Sequence, residues 1–188
     1  MDVYWFQDSK TGHLKQVQTL LDQLKEEIEF SITTIDDSNQ KSFSEIFYNN
    51  DQFDGPTILI GAGHDVYSKI LQAKKYLIKT INRDIFSIAV LRPSYKLNAF
   101  DLIIAPAHDF RKRQLPKNVI SFQGSLAATS RTPTDENKAI IAIGGPSKHY
   151  KFDQEIFMNQ LQYILSLHPN HRFKVFNSRR TPKILNLK

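Results

Sequence analysis

Asn137 to Phe152, which reads N-K-A-I-I-A-I-G-G-P-S-K-H-Y-K-F, decides how this chain is built. Ala139 to Ile143 is an apolar run of five, with the length and composition of a buried strand. Gly144-Gly145-Pro146 stops it, because that tripeptide supports no regular element and has to turn. From Asp153 the apolar spacing becomes helical, with Phe157, Leu161 and Ile164 on one face. Strand, glycine turn and helix in that order set free backbone N–H groups and a positive helix end at the strand's C-terminal edge. Such a place suits a phosphate or another anion. Ser147, Lys148, His149 and Tyr150 add donors and a cation at its mouth. An ordinary βα connection would use the same glycines for steric reasons alone.

The same grammar recurs upstream. Val3 to Phe6 reads as a first strand, followed by the polar turn Gln7 to Gly12. From His13 the residues Leu14, Val17, Leu21, Leu24 and Ile28 fall at helical intervals, and Ile28 to Ile35 reads as a second strand. A short helical segment is expected over Phe43 to Tyr48. Thr57 to Ile60 forms another strand, ended by Gly61-Ala62-Gly63, after which Val66, Ile70, Ala73 and Leu77 share a helical face. That G-x-G is half of a dinucleotide fingerprint. The third glycine of the fingerprint is replaced by Val66, and the motif sits on the third strand rather than the first. A nicotinamide cofactor is therefore not expected, although this glycine turn could still touch some ligand.

Ile85 to Leu91, Leu102 to Ala105 and Val119 to Phe122 follow as strands too closely spaced for long helices between them. Leu126 to Glu136 is rich in Thr, Ser, Pro and Asp and has the composition of a linker. Arg172 to Phe176 supplies a last strand before Asn177-Ser178-Arg179-Arg180-Thr181-Pro182. Strands alternating with helices argue for an α/β, Rossmann-like parallel sheet with helices on both faces. The expected organisation is a first domain over residues 1–126, a linker over 127–136 and the start of a second Rossmann-like domain over 137–188. Open parallel sheets bind ligands beyond the carboxyl ends of their strands. The unusual residues collect there: Gly12-His13, Gly61 to His64, Arg92-Pro93, His108-Asp109, Gly144 to Pro146 and Ser178 to Arg180.

Composition narrows the partners. The 188 residues are 40% hydrophobic and 23% charged, as in a globular protein, and include no cysteine, which excludes disulfides and thiolate metal sites. The net charge of +6 favours an anionic partner. Nucleic acid is the weakest candidate, since the basic residues are scattered and no nucleic-acid motif occurs. Arg111-Lys112-Arg113 with Lys117 forms a local basic cluster that is by default a solvated face, though it could meet an anionic membrane surface. No apolar run approaches the ~20 residues of a membrane helix, and the N-terminus has no secretory pattern, so a cytoplasmic protein is expected.

Five motifs together resemble the mitochondrial-fission "elongated mitochondria" family and its bacterial relatives. They are D-S-K-T-G-H-L-K-Q (Asp8 to Gln16), I-G-A-G (Ile60 to Gly63), P-A-H-D (Pro106 to Asp109), I-G-G-P-S-K-H-Y-K-F (Ile143 to Phe152) and S-R-R-T-P (Ser178 to Pro182). The last two are specific and the first three are weak singly; together they span nearly the whole chain. Two positions depart from the family pattern. Ser9 and Thr11 stand where the family usually has D-G-K-P-G-H, and Ala107 replaces the acid of P-E-H-D. Any chemistry that depends on that acid is absent here.

The resemblance implies a glycosyltransferase of the two-domain GT-B type, using a nucleoside-diphosphate sugar as co-substrate and no bound metal or cofactor. It also implies two full Rossmann-like domains, whereas this sequence reaches Lys188 just after S-R-R-T-P, so the second is expected to be incomplete. Under this reading Gly144, Gly145, Ser147 and Lys148 supply donors to the departing phosphates, and Arg179 and Arg180 clamp them. His13 is the first choice for the base that deprotonates the acceptor, and Asp109 the second, with His108 holding it. Gly12, Gln16, Gly61, Gly63 and His64 complete the expected cleft. The acceptor is unknown, and a lipid-linked one would suit the positive charge. The competing class is a non-catalytic interaction protein that keeps the fold without a complete donor site. A nucleotide-sugar epimerase, which needs a nicotinamide cofactor, is a third and weaker reading.

Overall fold

Alternation along the first strand, β1 (Asp2–Phe6), sends successive side chains to opposite faces of a sheet. Tyr4 and Phe6 enter one hydrophobic cluster and Val3 and Trp5 another. The structure, a computed structural model, describes residues 1–36, 41–48, 55–80, 84–110, 115–129 and 133–183. The chain divides into two units, Met1–Thr129 and Ser130–Lys188.

The larger unit is a six-stranded parallel sheet of order β2-β1-β3-β4-β5-β6, with β2 at Ser31–Ile35, β3 at Thr57–Gly61, β4 at Ile85–Val90, β5 at Leu102–Pro106 and β6 at Val119–Phe122. Helix α1 (Thr11–Lys25) buries Val17 and Leu21 on one face, against Val3, Trp5, Ile60 and Val90. Helix α3 (His64–Thr80) buries Val66, Ile70, Ala73 and Leu77 on the other, against Tyr4, Phe6, Leu59 and Ile103. Each such aliphatic side chain contributes about 1.5–3 kcal/mol by leaving water. The short helix α2 (Phe43–Tyr48) joins α3's face, where Phe47 meets Tyr4 edge-on with ring centroids 4.6 Å apart. The expected Rossmann-like α/β fold, with helices on both faces, is therefore what the chain forms.

The last strands of this sheet are joined with little helix, as their spacing demands. Short 3-10 turns at Leu97–Ala99 and Ala107–Phe110 stand where longer crossovers would have helices. A polar clamp sits among them. The Lys74 ammonium lies 2.6 Å from the Asp101 carboxylate, which also accepts from the Ser87 N–H and hydroxyl, each at 2.7 Å.

Two strand readings need correction. The second strand begins at Ser31, not Ile28, because β1 begins at Asp2 and Asp2 faces Ser31 in the parallel register. Ile28, three residues before that pair, is left exposed. The second correction concerns the smaller unit, in which, among the described residues, β7 (Lys138–Ile143) pairs in parallel only with β8 (Arg172–Asn177). The connecting helix α4 spans Gln154–Leu167, and the Asp153 carboxylate caps it by accepting from the Ile156 N–H at 3.0 Å. The apolar run of β7 is not a buried strand: Ile143 is buried, but Ile140 is 71% exposed. One helix can cover only one face of two strands, and Ile140 lies on the other.

Candidate functional site

The chain moves outward from β1 in both directions, to β2 on one side and to β3 on the other, so the strand order reverses between β1 and β3. In a doubly wound sheet that reversal leaves a crevice outside the carboxyl ends of the strands. A cavity of about 500 Å³ lies there, with walls contributed by the segments after β1, β3, β4, β5 and β6. Of the expected site residues, His13, Gln16, Gly63, His64, His108 and Asp109 line it.

His13, in the first turn of α1, is held by Asp8 in the preceding loop: its Nδ1 lies 2.7 Å from Asp8 Oδ2. The Asp8 side chain is only 8% exposed and that of His13 23%. The other oxygen of Asp8 accepts the Lys10 N–H at 3.0 Å, which fixes the carboxylate. A carboxylate on Nδ1 keeps the proton there and leaves the Nε2 lone pair free to accept one. Gly63 completes the arrangement. Its φ of +117° suits glycine, and a Cβ there would collide with the Asp8 carboxylate and come within 2.9 Å of His13 Nδ1. The glycine turn after β3 thus serves the His13–Asp8 pair sterically.

Gly61 has a different task. It is buried under the turn, where a Cβ would meet Val66 Cγ1 at 2.5 Å and the Phe6 carbonyl oxygen at 2.6 Å. The valine at the fingerprint's third glycine position fills the space that a side chain at Gly61 would need. Gly12 opens instead on a neighbouring groove of about 570 Å³ between α1 and Ser125 to Ala128.

The remaining walls carry several polar groups. His64 Nδ1 is 3.2 Å from Ser94 Oγ, with the Tyr95 ring edge-on at 5.0 Å. His108 is largely exposed, and its Nε2 lies 3.5 Å from Asp109 Oδ1, an ion-pair rather than a hydrogen-bond distance. Gln16 Oε1 and Arg92 Nε are buried without a hydrogen-bond partner among the described residues. Tyr67 donates its hydroxyl to the Val90 and Leu91 carbonyls at 2.7 and 3.1 Å. Burial pushes that phenol up to about 12, so it stays a neutral donor.

In the smaller unit, the loop after β7 meets the loop after β8. The Thr181 hydroxyl donates to the Ile143 and Gly144 carbonyls at 2.8 and 3.0 Å, and the Ser178 N–H donates to the Ile143 carbonyl at 3.1 Å. Gly145 packs so closely on the Arg180 backbone that no Cβ would fit. Gly144, Gly145, Arg179 and Arg180 are thereby brought together. Ser147 and Lys148 follow in a tight turn in which the Ser147 N–H is already committed to the Tyr150 carbonyl at 2.9 Å. Helix α4 starts only at Gln154, with the Asp153 carboxylate on the Ile156 N–H, so its positive end is not open beside the glycines as the motif alone implies.

Asp8, Tyr67 and Thr181 were not among the expected site residues, and Arg92 was noted only as an unusual residue at a strand end. Asp8 and Arg92 did stand within strand-end clusters, which is the signal that could have found them. The 38-residue separation of Thr181 from Ile143 hides that contact from any local pattern.

A doubly wound parallel sheet with a polar cavity at its switch point defines a Rossmann-like α/β protein. The sequence matches the family described as Mitochondrial fission ELM1 over residues 11–186, and the chain belongs to that family. No curated protein and no solved structure matches it. Among the described residues no helix is long and apolar enough to cross a membrane.

Proposed function

We propose that the protein is a sugar transferase of the GT-B type, which moves a glycosyl group from a nucleoside-diphosphate sugar to an acceptor hydroxyl. The observation that carries this reading is the His13–Asp8 pair in the switch-point cavity, 2.7 Å apart and braced by Gly63. In the reaction the acceptor oxygen forms a bond to the anomeric carbon while the bond to the diphosphate oxygen breaks. The nucleoside diphosphate leaves with the electron pair, and the acceptor proton goes to His13 Nε2. Asp8 holds the imidazole in the tautomer that can take it and stabilises the imidazolium that results. Asp109, beside His108, is the second candidate for the base.

Negative charge builds on the leaving phosphates. Fixed donors aimed at it are the largest available catalytic term. The Gly144-Gly145 turn, Ser147, Lys148, Arg179 and Arg180 are the groups assigned to it, with the arginines able to grip phosphate through two parallel N–H bonds. An anionic membrane surface as the acceptor's location is part of the proposal on grounds of charge alone; Arg111 to Arg113, which prompted it, lie outside the described residues.

A panel of uridine and guanosine diphosphate sugars, followed by thermal unfolding, tests donor binding, since a ligand of the folded state raises the midpoint. His13→Gln should leave that rise intact and lower the transfer rate about 10²–10⁴-fold. An unchanged rate would remove His13 as the base. No midpoint shift with any nucleotide sugar would favour the second reading, a non-catalytic interaction protein. That reading has its own support in the apolar residues left in solvent on the smaller unit, Ile140, Tyr163, Leu167 and Phe176 among them.

A further inference from the structure

The switch-point cavity is lined by two cations, Arg92 and Lys10, that a proton transfer does not use. We infer that it is an anion site, in which Arg92 and Lys10, the residue preceding α1, seat a phosphate group carried by the acceptor. That a phosphate binds here stands on the cavity by itself; that it belongs to the acceptor rests on the sugar-transfer reading.

Arg92 is the central observation. Its Nε is buried and has no hydrogen-bond partner among the described residues, although the residue as a whole is only half-buried. A guanidinium cannot shed its charge, so a buried donor left in this state costs stability that a ligand would restore. The side chain is nevertheless held in place. Its Cζ sits 5.6 Å from the centre of the Phe110 ring, and the preceding residue, Leu91, takes a φ of +69° with its carbonyl bonded by the Tyr67 hydroxyl. Stacking over a ring covers the guanidinium's face and leaves its N–H edge for a planar or tetrahedral oxyanion.

The second observation comes from a different element. Helix α1 runs for 15 residues from Thr11, has no acidic residue in its first turn, and its N-cap residue Lys10 makes no side-chain capping bond. An uncapped helix start attracts negative charge through its free N–H groups and its dipole. Lys10 lines the same cavity as Arg92. The acids nearby have other partners: Asp8 faces His13 and the Lys10 N–H, and Asp109 lies beside His108. A volume of about 500 Å³ admits a phosphorylated small molecule, or the head of a phosphorylated lipid, with room for its hydroxyl to reach His13.

The test uses the full chain carrying Arg179→Gln and Arg180→Gln, so that the smaller unit's arginines do not contribute. Inorganic pyrophosphate is titrated calorimetrically, and backbone amide shifts locate it. Binding with shifts at His13, Gly63 and Ser94 is expected. Adding Arg92→Gln should weaken it about 10- to 100-fold, the loss of a charge-assisted pair of hydrogen bonds. Lys10→Gln, on an exposed loop where folding is not at risk, should weaken it about two- to five-fold. Absence of pyrophosphate binding in the parent background overturns the inference. So does affinity that Arg92→Gln leaves unchanged in a folded chain.

A second arm separates the two sources of phosphate. Retention on phosphatidylcholine vesicles containing phosphatidic acid, lost on Arg92→Gln, identifies a lipid phosphate. Pyrophosphate binding without such retention identifies a water-soluble phosphate ester. If pyrophosphate binds here and no nucleotide sugar binds anywhere, the transfer reading fails while the anion site remains.

Discussion

The two units of this chain answer the same local grammar with opposite interiors. In the larger, helices lie on both faces of a six-stranded sheet, and Leu59, Ile70, Leu77 and Ile103 are wholly shielded from water. In the smaller, two strands and a helix of comparable apolar composition leave Ile140 71% and Tyr163 65% exposed. A strand–turn–helix–strand unit therefore does not make a core by itself. Apolar residues become interior only when neighbouring strands extend the sheet and a helix lies on each side. The larger unit holds its chemistry on a rigid base, whereas the smaller shapes its loops mainly through hydrogen bonds such as those of Thr181.

The strongest challenge to this contrast is cavity formation. Leu77→Ala, in the wholly buried stripe of α3, should destabilise the larger unit by about 2–5 kcal/mol in chemical denaturation. A cost below 1 kcal/mol would show that this core is not close-packed. Next comes the Lys74–Asp101–Ser87 clamp, a polar device in the larger unit. Lys74→Met should cost about 1.5–3 kcal/mol, the range for a hydrogen bond to a charged group.

The clamp also has a pH signature. Burial raises the Asp101 carboxyl, but the Lys74 ammonium and the Ser87 N–H and hydroxyl outweigh it and hold it below its ordinary value of 3.8. The unfolded chain therefore binds this proton more readily than the folded one. The clamp's contribution is complete above that ordinary value and is lost as pH falls through the lower folded one. Acid unfolding of Lys74→Met should accordingly begin at higher pH than that of the parent, and coincident acid transitions would argue against the clamp.

Gly63→Ala sharpens the comparison at the site itself. The positive φ alone should cost about 1–2 kcal/mol, and the new methyl should displace Asp8 from His13. Its proper readout is the rate of transfer at unchanged donor binding, which should fall; a rate identical to the parent's would mean that Asp8 does not position His13. The smallest effect is expected in the smaller unit. Ile140→Ser should change stability by no more than about 0.5 kcal/mol, as for ordinary surface positions. A loss of several kcal/mol would mean that something covers Ile140 in solution.

Much of this was legible in the order of the residues. Helical spacing of Val66, Ile70, Ala73 and Leu77 predicts the stripe that α3 buries, and the paired glycines after β3 and β7 mark the turns. The exposure of β7 was not legible, since an apolar run reads alike whether or not a third strand lies beside it. Nor was the task of Gly61, which is to accommodate Val66 and not a cofactor. His13 could be named as a candidate from its place after the first turn. That Asp8 partners it and Gly63 braces it could not be read, because their meeting depends on where β1 and β3 end relative to each other.

By itself, then, the order of amino acids determined the element types, the parallel α/β class and the positions of the turns, because strand and helix periodicity and glycine sterics act over a few residues. Tertiary structure alone decided which turns share a cavity, which apolar residues see water, and that Arg92 Nε is buried without a hydrogen-bond partner among the described residues. Those outcomes follow from strand register and from the point at which the sheet reverses direction, and no short stretch of chain contains either.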